Sequence, residues 1–265
     1  MQKAYTAVLG ARFRMLLQYR VAALAGLGTQ VFFGIVRLMI IGAFYAIPRT
    51  KAPPMSWPET INYIWLGQAT LWILPVWNDS EVAGMIRTGS VVYELAKPVD
   101  LYALWFARSI AGRTAPMVLR AIPMLILAAL FFGLTPPATF AAGCAWIAST
   151  ASAVLLSSAI STLLLISIMW TVSGRGVQDI VSPLVWTLSG LLIPLPLFPE
   201  WMQRVVVFLP FRGLMDAPFR IYTGNIPISD CAATIGGQLA WTVALIVLGK
   251  WALSRGVRRL EIQGG

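Results

Sequence analysis

Long hydrophobic runs alternate with short polar stretches along this 265-residue chain. A helix needs about 20 apolar residues to cross the hydrocarbon core of a bilayer. Six runs reach or approach that length, at residues 21–47, 57–77, 114–133, 138–172, 180–198 and 229–253. The pattern predicts an all-α integral membrane protein in which residues 1–265 form a single domain of six transmembrane helices.

Two stretches depart from a regular membrane helix. Prolines at positions 183, 194 and 196 interrupt the fifth run, so its second half is not expected to be a straight helix. Residues 199–228 then hold an apolar piece too short to cross a bilayer. We therefore expect an outer helical hairpin at 199–228 that is re-entrant or interfacial.

The first 20 residues combine apolar positions at spacings of three and four with basic residues such as Arg12 and Arg14. This spacing is typical of an amphipathic helix, and basic side chains beside apolar ones favour the membrane surface. Residues 2–20 are thus predicted to form an interfacial helix on the inner leaflet. The alternative is that they extend the first span.

Residues 78–113 form a long polar interruption between the second and third predicted spans. Asn78, Asp79 and Ser80 can cap a short helix with Glu81 in its first turn, and Gly89 is suited to end it. A loop that only connects two spans could be much shorter. The caps therefore favour an ordered element that docks to something.

A second helix within this interruption is predicted to begin at Asp100, another capping residue. Its apolar side chains are expected to lie on the membrane surface; they are Leu101, Leu104, Trp105 and Ile110. Arg108 and Arg113 would then meet lipid headgroups.

The charged residues set the orientation of the spans. Only 11% of residues are charged and the formal net charge is +10. With six spans, most of the Lys and Arg residues fall on the side of the two termini, which the positive-inside rule assigns to the cytoplasm. Residues 78–113 lie on that same side. The basic residues form no stripe with interleaved aromatic residues, so lipid headgroups are expected as partners and nucleic acid is not.

Catalytic and metal-binding motifs are absent from the sequence. There is no His, and Cys144 and Cys231 are far apart, so neither His-based acid–base chemistry nor a metal site is expected. The two cysteines are interpreted as packing residues, with a mutual disulfide as the alternative. The phosphate-binding pattern GxxxxGK followed by Ser or Thr is also missing. If ATP drives this protein, another chain must hydrolyse it.

Two arginines and a row of hydroxyl groups fall inside the predicted spans. Arg37 and Arg120 could attract an anionic substrate group or a lipid phosphate, or could simply extend toward the membrane surface. Thr150, Ser157 and Ser161 share one face of the fourth span. They could line a substrate path, or allow close helix packing.

Two blocks of sequence resemble a known family. RTGSVVYELAKPVDLYALWFAR, residues 87–108, resembles the signature loop of the ABC type-2 exporter permeases. SGLLIPLPLFPEWMQRVVVFLPFRGLMDAPFRIYTG, residues 189–224, is similar to that family's Pro-rich outer hairpin before the last span. Both blocks lie in the positions along the chain that the family's topology requires.

The resemblance implies a permease subunit of an ATP-driven exporter in a bacterial inner or plasma membrane. It would pair with a second six-span permease, identical or related, and with ABC ATPase subunits that carry the ATP and Mg, and it would export an amphipathic or hydrophobic substrate. Residues 78–113 would be the coupling loop. The resemblance assigns these residues to ATPase docking, the last of them in a weaker contact at 173–179: Glu81, Met85, Arg87, Tyr93, Glu94 and Arg175.

Alternatives remain at the levels of residue and function. Arg87, Glu94 and Asp100 could serve local capping and salt bridges instead of a partner. A membrane-embedded lipid-processing enzyme and an ATP-independent carrier are the competing functions.

Overall fold

The computed structural model of the chain is helical, and it describes residues 2–18, 20–47, 53–171 and 176–259. No strand occurs within those ranges. The α-helices are α1 (Gln2–Gln18), α2 (Arg20–Ala46), α3 (Trp57–Ala69), α4 (Ser80–Arg87), α5 (Val92–Leu95), α6 (Leu101–Phe131), α7 (Phe140–Ser167), α8 (Gly176–Leu188), α9 (Glu200–Val206), α10 (Asp216–Tyr222) and α11 (Ile228–Gly256). The all-α fold class predicted from the sequence is confirmed.

Within the described ranges, four helical segments are long and apolar enough to cross a membrane. They are Ala25–Ala46 in α2, Leu101–Phe131, Phe140–Trp170 and Ile228–Gly256. These segments correspond to the first, third, fourth and sixth predicted spans. A membrane protein is therefore supported by length and composition.

The second predicted span is not a continuous helix, and the helix of the fifth ends about halfway, as predicted for that run. α3 and α8 have 13 residues each, which is about 20 Å at a rise of 1.5 Å per residue, against a hydrocarbon core of about 30 Å. α3 ends at Ala69 and is followed by a 3₁₀-helix at Leu71–Ile73; Pro75 prevents the helix from continuing further, because a residue before proline avoids the helical region and Leu74 is extended at φ −60°, ψ 137°. α8 stops before Gly190, whose φ of +88° suits only glycine.

The third predicted span begins earlier than expected. α6 is one helix of 31 residues that starts directly after its N-cap, Asp100, whose Oδ1 accepts from the Ala103 amide at 2.8 Å. The separate surface helix predicted at this point is therefore wrong. Leu101, Leu104 and Trp105 are buried within the protein instead of lying on a membrane surface. Their apolar partners come from α4 and from the end of α7.

α7 forms the centre of the bundle. Of its most hydrophobic stretch, 78% of residues are buried inside the protein, against 17% for each of α2, α6 and α11. Its neighbours are α11, α10 and α6. Its N-cap is Thr139, whose side chain accepts from the Ala142 amide. The other long helices thus keep large apolar surfaces outward, where lipid or a second subunit can cover them.

The predicted hairpin at 199–228 consists of short helices that fold back into the bundle. α9 is followed by the 3₁₀-helix Pro210–Leu214 and then by α10. Whether this part is re-entrant or interfacial stays a prediction. α9 leaves Trp201 and Val205 exposed, whereas α10 is buried against α7 and α3. Its Asp216 accepts from Tyr63 Oη at 3.0 Å and from Arg212 Nε at 3.1 Å. Cys144 and Cys231 are both free, so the alternative of a mutual disulfide is wrong.

Candidate coupling site

α4 is set by local capping, as the sequence predicted. Asp79 Oδ1 accepts from the amides of Glu81 at 3.1 Å and Val82 at 3.3 Å, which satisfies two of the donors left open at a helix start. Gly89 follows the helix with a φ of +73°, a conformation that glycine adopts without strain. Residues 79–89 therefore determine both ends of α4 locally.

α4 has an inward and an outward face. Val82, Ala83 and Ile86 are buried among apolar side chains from α6 and from the end of α7. The other side leaves Glu81 and Arg87 exposed, with Met85 half-buried between the two faces. Because its inner face is packed, α4 cannot move without its neighbours.

α5 is pinned to α6 by a buried carboxylate. Glu94 is buried, and its Oε2 accepts from Trp105 Nε1 at 2.7 Å. Lys97 Nζ lies 4.0 Å from the other carboxylate oxygen. The neighbouring Tyr93 is one of the most exposed aromatic side chains that the structure describes. α5 therefore presents Tyr93 outward on a fixed base.

An ion cluster joins three helices at this site; we call it the coupling cluster, and it consists of Arg12, Asp79, Glu81 and Arg108. Arg12 of α1 contacts Asp79 Oδ2 at 3.0 Å and Glu81 Oε2 at 2.7 Å. Arg108 of α6 contacts the same two oxygens at 3.0 Å and 2.6 Å. Each arginine thus bridges both carboxylates, and the start of α4 is tied to α1 and to α6.

The electrostatics of the coupling cluster favour the ionised state of Glu81. Hydrogen bonds from Arg12 and Arg108 lower the pKa of Glu81 below its ordinary value, against a smaller opposing effect of burial. The Glu81 side chain is 57% exposed, whereas those of Asp79 and Arg108 are 13% and 11% exposed. The Asp79–Arg108 contact is therefore the shielded half of the cluster.

A second link ties this site to the start of α8. Asn78 Nδ2 donates to Gln178 Oε1 at 2.9 Å, and Gln178 Nε2 donates to the Val76 carbonyl at 2.9 Å. Residues 172–175, including the predicted contact Arg175, lie outside the described residues. Gln178, from the predicted second contact at 173–179, is thus held against the approach to α4.

The residues predicted for ATPase docking fall into two groups. Arg87 and Tyr93 are exposed and Glu81 is exposed beside its arginines, so these side chains are accessible to a partner. Glu94 is buried and bound to Trp105, an arrangement that matches the local structural alternative. Met85 belongs mainly to the packed face.

The predicted substrate-path residues do not form one site. Arg120 stacks over Trp72, with its guanidinium carbon 4.7 Å from the ring centroid. Thr150 has a buried hydroxyl without a hydrogen-bond partner in the described ranges. Arg37 lies on α2 beside a large cavity. Ser157 and Ser161 are brought together by a residue that the sequence had placed at the lipid headgroups.

That residue is Arg113, which is 5% exposed; its predicted contact with headgroups is wrong. Its Nε donates to Ser157 Oγ at 2.7 Å, and its NH2 donates to Ser161 Oγ. Its NH1 reaches Ser109 Oγ at 2.7 Å and the Ser109 carbonyl at 3.1 Å. Sequence reasoning missed this contact, although the four-residue spacing of two serines on a buried helix was an available signal.

The described residues hold no group of three His, Cys, Asp or Glu side chains that could bind a metal. Comparison with known proteins identifies the family directly. The family model described as ABC-2 family transporter protein matches residues 57–264, which includes every element from α3 to α11. No match was found among curated proteins or among solved structures. The chain therefore belongs to the ABC-2 transporter family and is a membrane permease component of an ABC transporter.

Proposed function

We propose that this chain is the permease of an ATP-driven exporter, in which the outer face of α4 and α5 docks to a separate ATP-binding-cassette subunit. The observation that carries this proposal is the coupling cluster. It ties a short, exposed helix to two longer ones through four short ion pairs. Such an arrangement suits a helix that is displaced by a bound partner and transmits the displacement to the helices α1 and α6.

ATP can drive transport only if the nucleotide state of the partner favours one arrangement of the permease over another. A partner that binds Arg87 and Tyr93 would move α4 when it changes conformation. The buried face of α4 packs against α6 and the end of α7, so these helices would move with it. Arg12 would carry α1 in the same movement. Hydrolysis itself, with ATP and Mg, belongs to the partner ATPase, and this chain supplies no catalytic residue.

The proposed assembly has two permeases and two ATPase subunits in a bacterial cell membrane. The excess of Lys and Arg on the side of α4 supports a cytoplasmic location for that side and for both termini. The outward apolar surfaces of α2, α6 and α11 are available for lipid or for the second permease. The cargo is an amphipathic or hydrophobic molecule that moves outward.

The test is capture of the ATPase from native membranes by a tagged permease. Deleting residues 80–89 would remove Val82 and Ile86 from the core, so surface substitutions are the better choice. Arg87→Glu and Tyr93→Ala change only exposed side chains. Arg204→Glu on the outer hairpin is the matched control, because Arg204 is also an exposed arginine.

We expect the wild type and the Arg204→Glu variant to retain a protein with ATP-binding-cassette motifs, identified by mass spectrometry. The Arg87→Glu, Tyr93→Ala double variant should lose it while its yield and thermal unfolding stay unchanged. Equal capture by the double variant would overturn the docking assignment. Absence of any ATPase from the wild-type sample would overturn the function itself.

A further inference from the structure

A large cavity lies beside the broken helices. It has a volume of about 1210 Å³ and is bounded by α2, by the end of α3 and by the non-helical residues that follow α8. Ligand sites usually measure about 300–1,000 Å³, so this one has room for an elongated molecule. Its walls are mostly apolar, with Phe33 and Ile40 from α2 facing Leu192 and Ile193.

The backbone around the cavity is irregular within hydrophobic sequence. α3 ends at Ala69 in the middle of an apolar run, and residues 189–194 are non-helical after α8. Non-helical backbone at membrane depth is tolerated where it is buried in protein or lines a cavity. Fixed contacts hold it, since the Asp216 amide donates to the Ser189 carbonyl at 3.2 Å and the Leu192 amide to the Trp186 carbonyl at 3.3 Å. The cavity is therefore a built feature of the fold.

One end of the cavity carries polar groups that the protein does not satisfy. Gln30 is 4% exposed, and its Nε2 donates to the Gln68 carbonyl at 2.9 Å. Its Oε1 has no partner in the described ranges. With the Gln68 amide assigned so that its oxygen faces Arg37, that oxygen accepts from Arg37 NH1 at 3.1 Å. A buried acceptor without a donor is costly, so Gln30 indicates a missing ligand group.

Arg37 is a cation without a carboxylate. Among the described residues, none of the ion pairs of the protein includes it. An arginine inside a membrane helix is expensive and usually pairs with an anion or faces a polar cavity. Among the described residues, its one hydrogen-bond partner is the neutral amide of Gln68. Glu200 also lines the cavity but pairs with Arg204 at 3.7 Å, so the described residues give Arg37 no counter-charge of its own.

Arg37 lies too deep for its charge simply to reach the membrane surface. The end of α2 and the start of α3 are neighbours, because Tyr45 Oη donates to the Met55 carbonyl at 2.9 Å. Arg37 is nine residues from the end of α2 and Gln68 eleven from the start of α3, or about 14 Å and 17 Å at 1.5 Å per residue. Both depths are near the middle of a core of about 30 Å. The guanidinium points to Gln68 at that depth, not toward the surface.

We propose that this cavity binds an amphiphile whose head is a carboxylate or phosphate that also carries a hydroxyl or N–H donor. Arg37 donates to the anion, and Gln30 Oε1 accepts from the head's own donor. The tail lies against Phe33, Ile40, Leu192 and Ile193. The proposal deepens the proposed export function, on which it rests, by naming the class of cargo.

The probe is a single-chain lysophosphatidylglycerol, which has a phosphate and hydroxyl groups, compared with a lysophosphatidylcholine of equal chain length, which is zwitterionic. Binding is measured by native mass spectrometry on the purified permease without any ATPase. The variants are Arg37→Gln, Gln30→Leu and, to fill the cavity from the opposite wall, Ile193→Trp. Arg120→Gln is the matched control, because Arg120 is an intramembrane arginine that stacks on Trp72 away from this cavity.

We expect the wild type and Arg120→Gln to prefer the anionic probe. Arg37→Gln should weaken its binding about tenfold or more, as loss of a charge-assisted hydrogen bond predicts, and should abolish the preference over lysophosphatidylcholine. Gln30→Leu should weaken it several-fold, and Ile193→Trp should reduce binding of both probes. Equal binding by Arg37→Gln and Arg120→Gln would overturn the proposal. The proposal would also be overturned if Arg37→Gln or Ile193→Trp changed the oligomeric state of the permease and left probe binding unchanged. In that case a second copy of the chain, and not a ligand, would cover the cavity.

An experiment in nanodiscs distinguishes the two possible sources of the ligand, a lipid of the bilayer and a free amphiphile. If phosphatidylglycerol in the disc competes with the probe through Arg37, the natural ligand is a bilayer lipid. If it does not, while the probe still binds, the ligand is a free amphiphile. Because no ATPase is present, failure here leaves the test of ATPase capture untouched.

Discussion

The coupling cluster should be energetically unequal, with its shielded half stronger than its exposed half. Asp79→Asn removes the charge at two contacts of 3.0 Å each but keeps a good N-cap for α4. Asp79→Ala removes the charge and the cap together. Comparing the two variants separates the ion pairs from the capping of α4.

The expected loss of stability follows from the exposure and the distances of these contacts. A hydrogen bond to a charged group contributes about 1.5–3 kcal/mol, and an exposed ion pair about 0.2–1 kcal/mol. Arg108 keeps Glu81 at 2.6 Å when Asp79 is neutralised, so we expect Asp79→Asn to cost about 2 kcal/mol. Asp79→Ala should cost about 1 kcal/mol more, through the lost cap. The coupling energy should be about 1.5 kcal/mol for Asp79 with Arg108, and below about 1 kcal/mol for Arg12 with Glu81.

The assay is thermal unfolding of the purified permease, followed by the fluorescence of its 11 tryptophans. At about 2–4 °C per kcal/mol, Asp79→Asn should lower Tm by about 4–8 °C. Double-mutant cycles, Asp79→Asn with Arg108→Gln and Glu81→Gln with Arg12→Gln, give the two coupling energies. The reasoning is refuted if the Arg12–Glu81 coupling equals or exceeds the other, or if the Asn and Ala variants at position 79 are equally unstable.

Three further predictions use the same unfolding assay. The pKa of Glu81 is lower in the folded protein than its ordinary value. Its contribution to stability is therefore fully present above about pH 4.3 and is lost as the pH falls through the folded pKa. The difference in Tm between the wild type and Glu81→Gln should vanish in acid. Gly190→Ala should cost about 1–3 kcal/mol, because φ is +88° and the new Cβ meets the Tyr63 hydroxyl; Gly236→Ala, with open space, should not destabilise. Arg113→Lys should cost about 2 kcal/mol, since one ammonium cannot replace a guanidinium bound to three serines.

Local signals in the sequence were enough to predict α4. A cap, an acidic first turn and a glycine stop lie within residues 79–89, and each acts on backbone groups close by. Those contacts are the ones seen, with Asp79 as the cap and Gly89 as the stop. The long helices were predictable for a similar reason, because membrane-spanning length is a property of one continuous segment.

Contacts between distant segments were not predictable in the same way. Arg113 looked like a headgroup residue because its near neighbour Ser109 satisfies only one of its nitrogens, and the other two serines lie 44 and 48 residues away. The second predicted span looked continuous because hydropathy measures how apolar a segment is and does not show where its helix ends, here at Ala69. Pro75 was a usable signal there. The role of Gln30 depends on a carbonyl 38 residues away, so only the fold reveals it.

The two sites argued above lie at the ends of one connected set of polar contacts. Arg108, in the coupling cluster, and Arg113 are five residues apart on the same rigid helix, α6. Arg113 binds Ser157 of α7, and Ser157 Oγ donates to the carbonyl of Ile73, just after the break that ends α3. Gln68, the residue before the last one of α3, lines the cavity. A shift of α6 against α7 must therefore break these bonds or carry the end of α3 with it, and in the second case the polar end of the cavity changes shape.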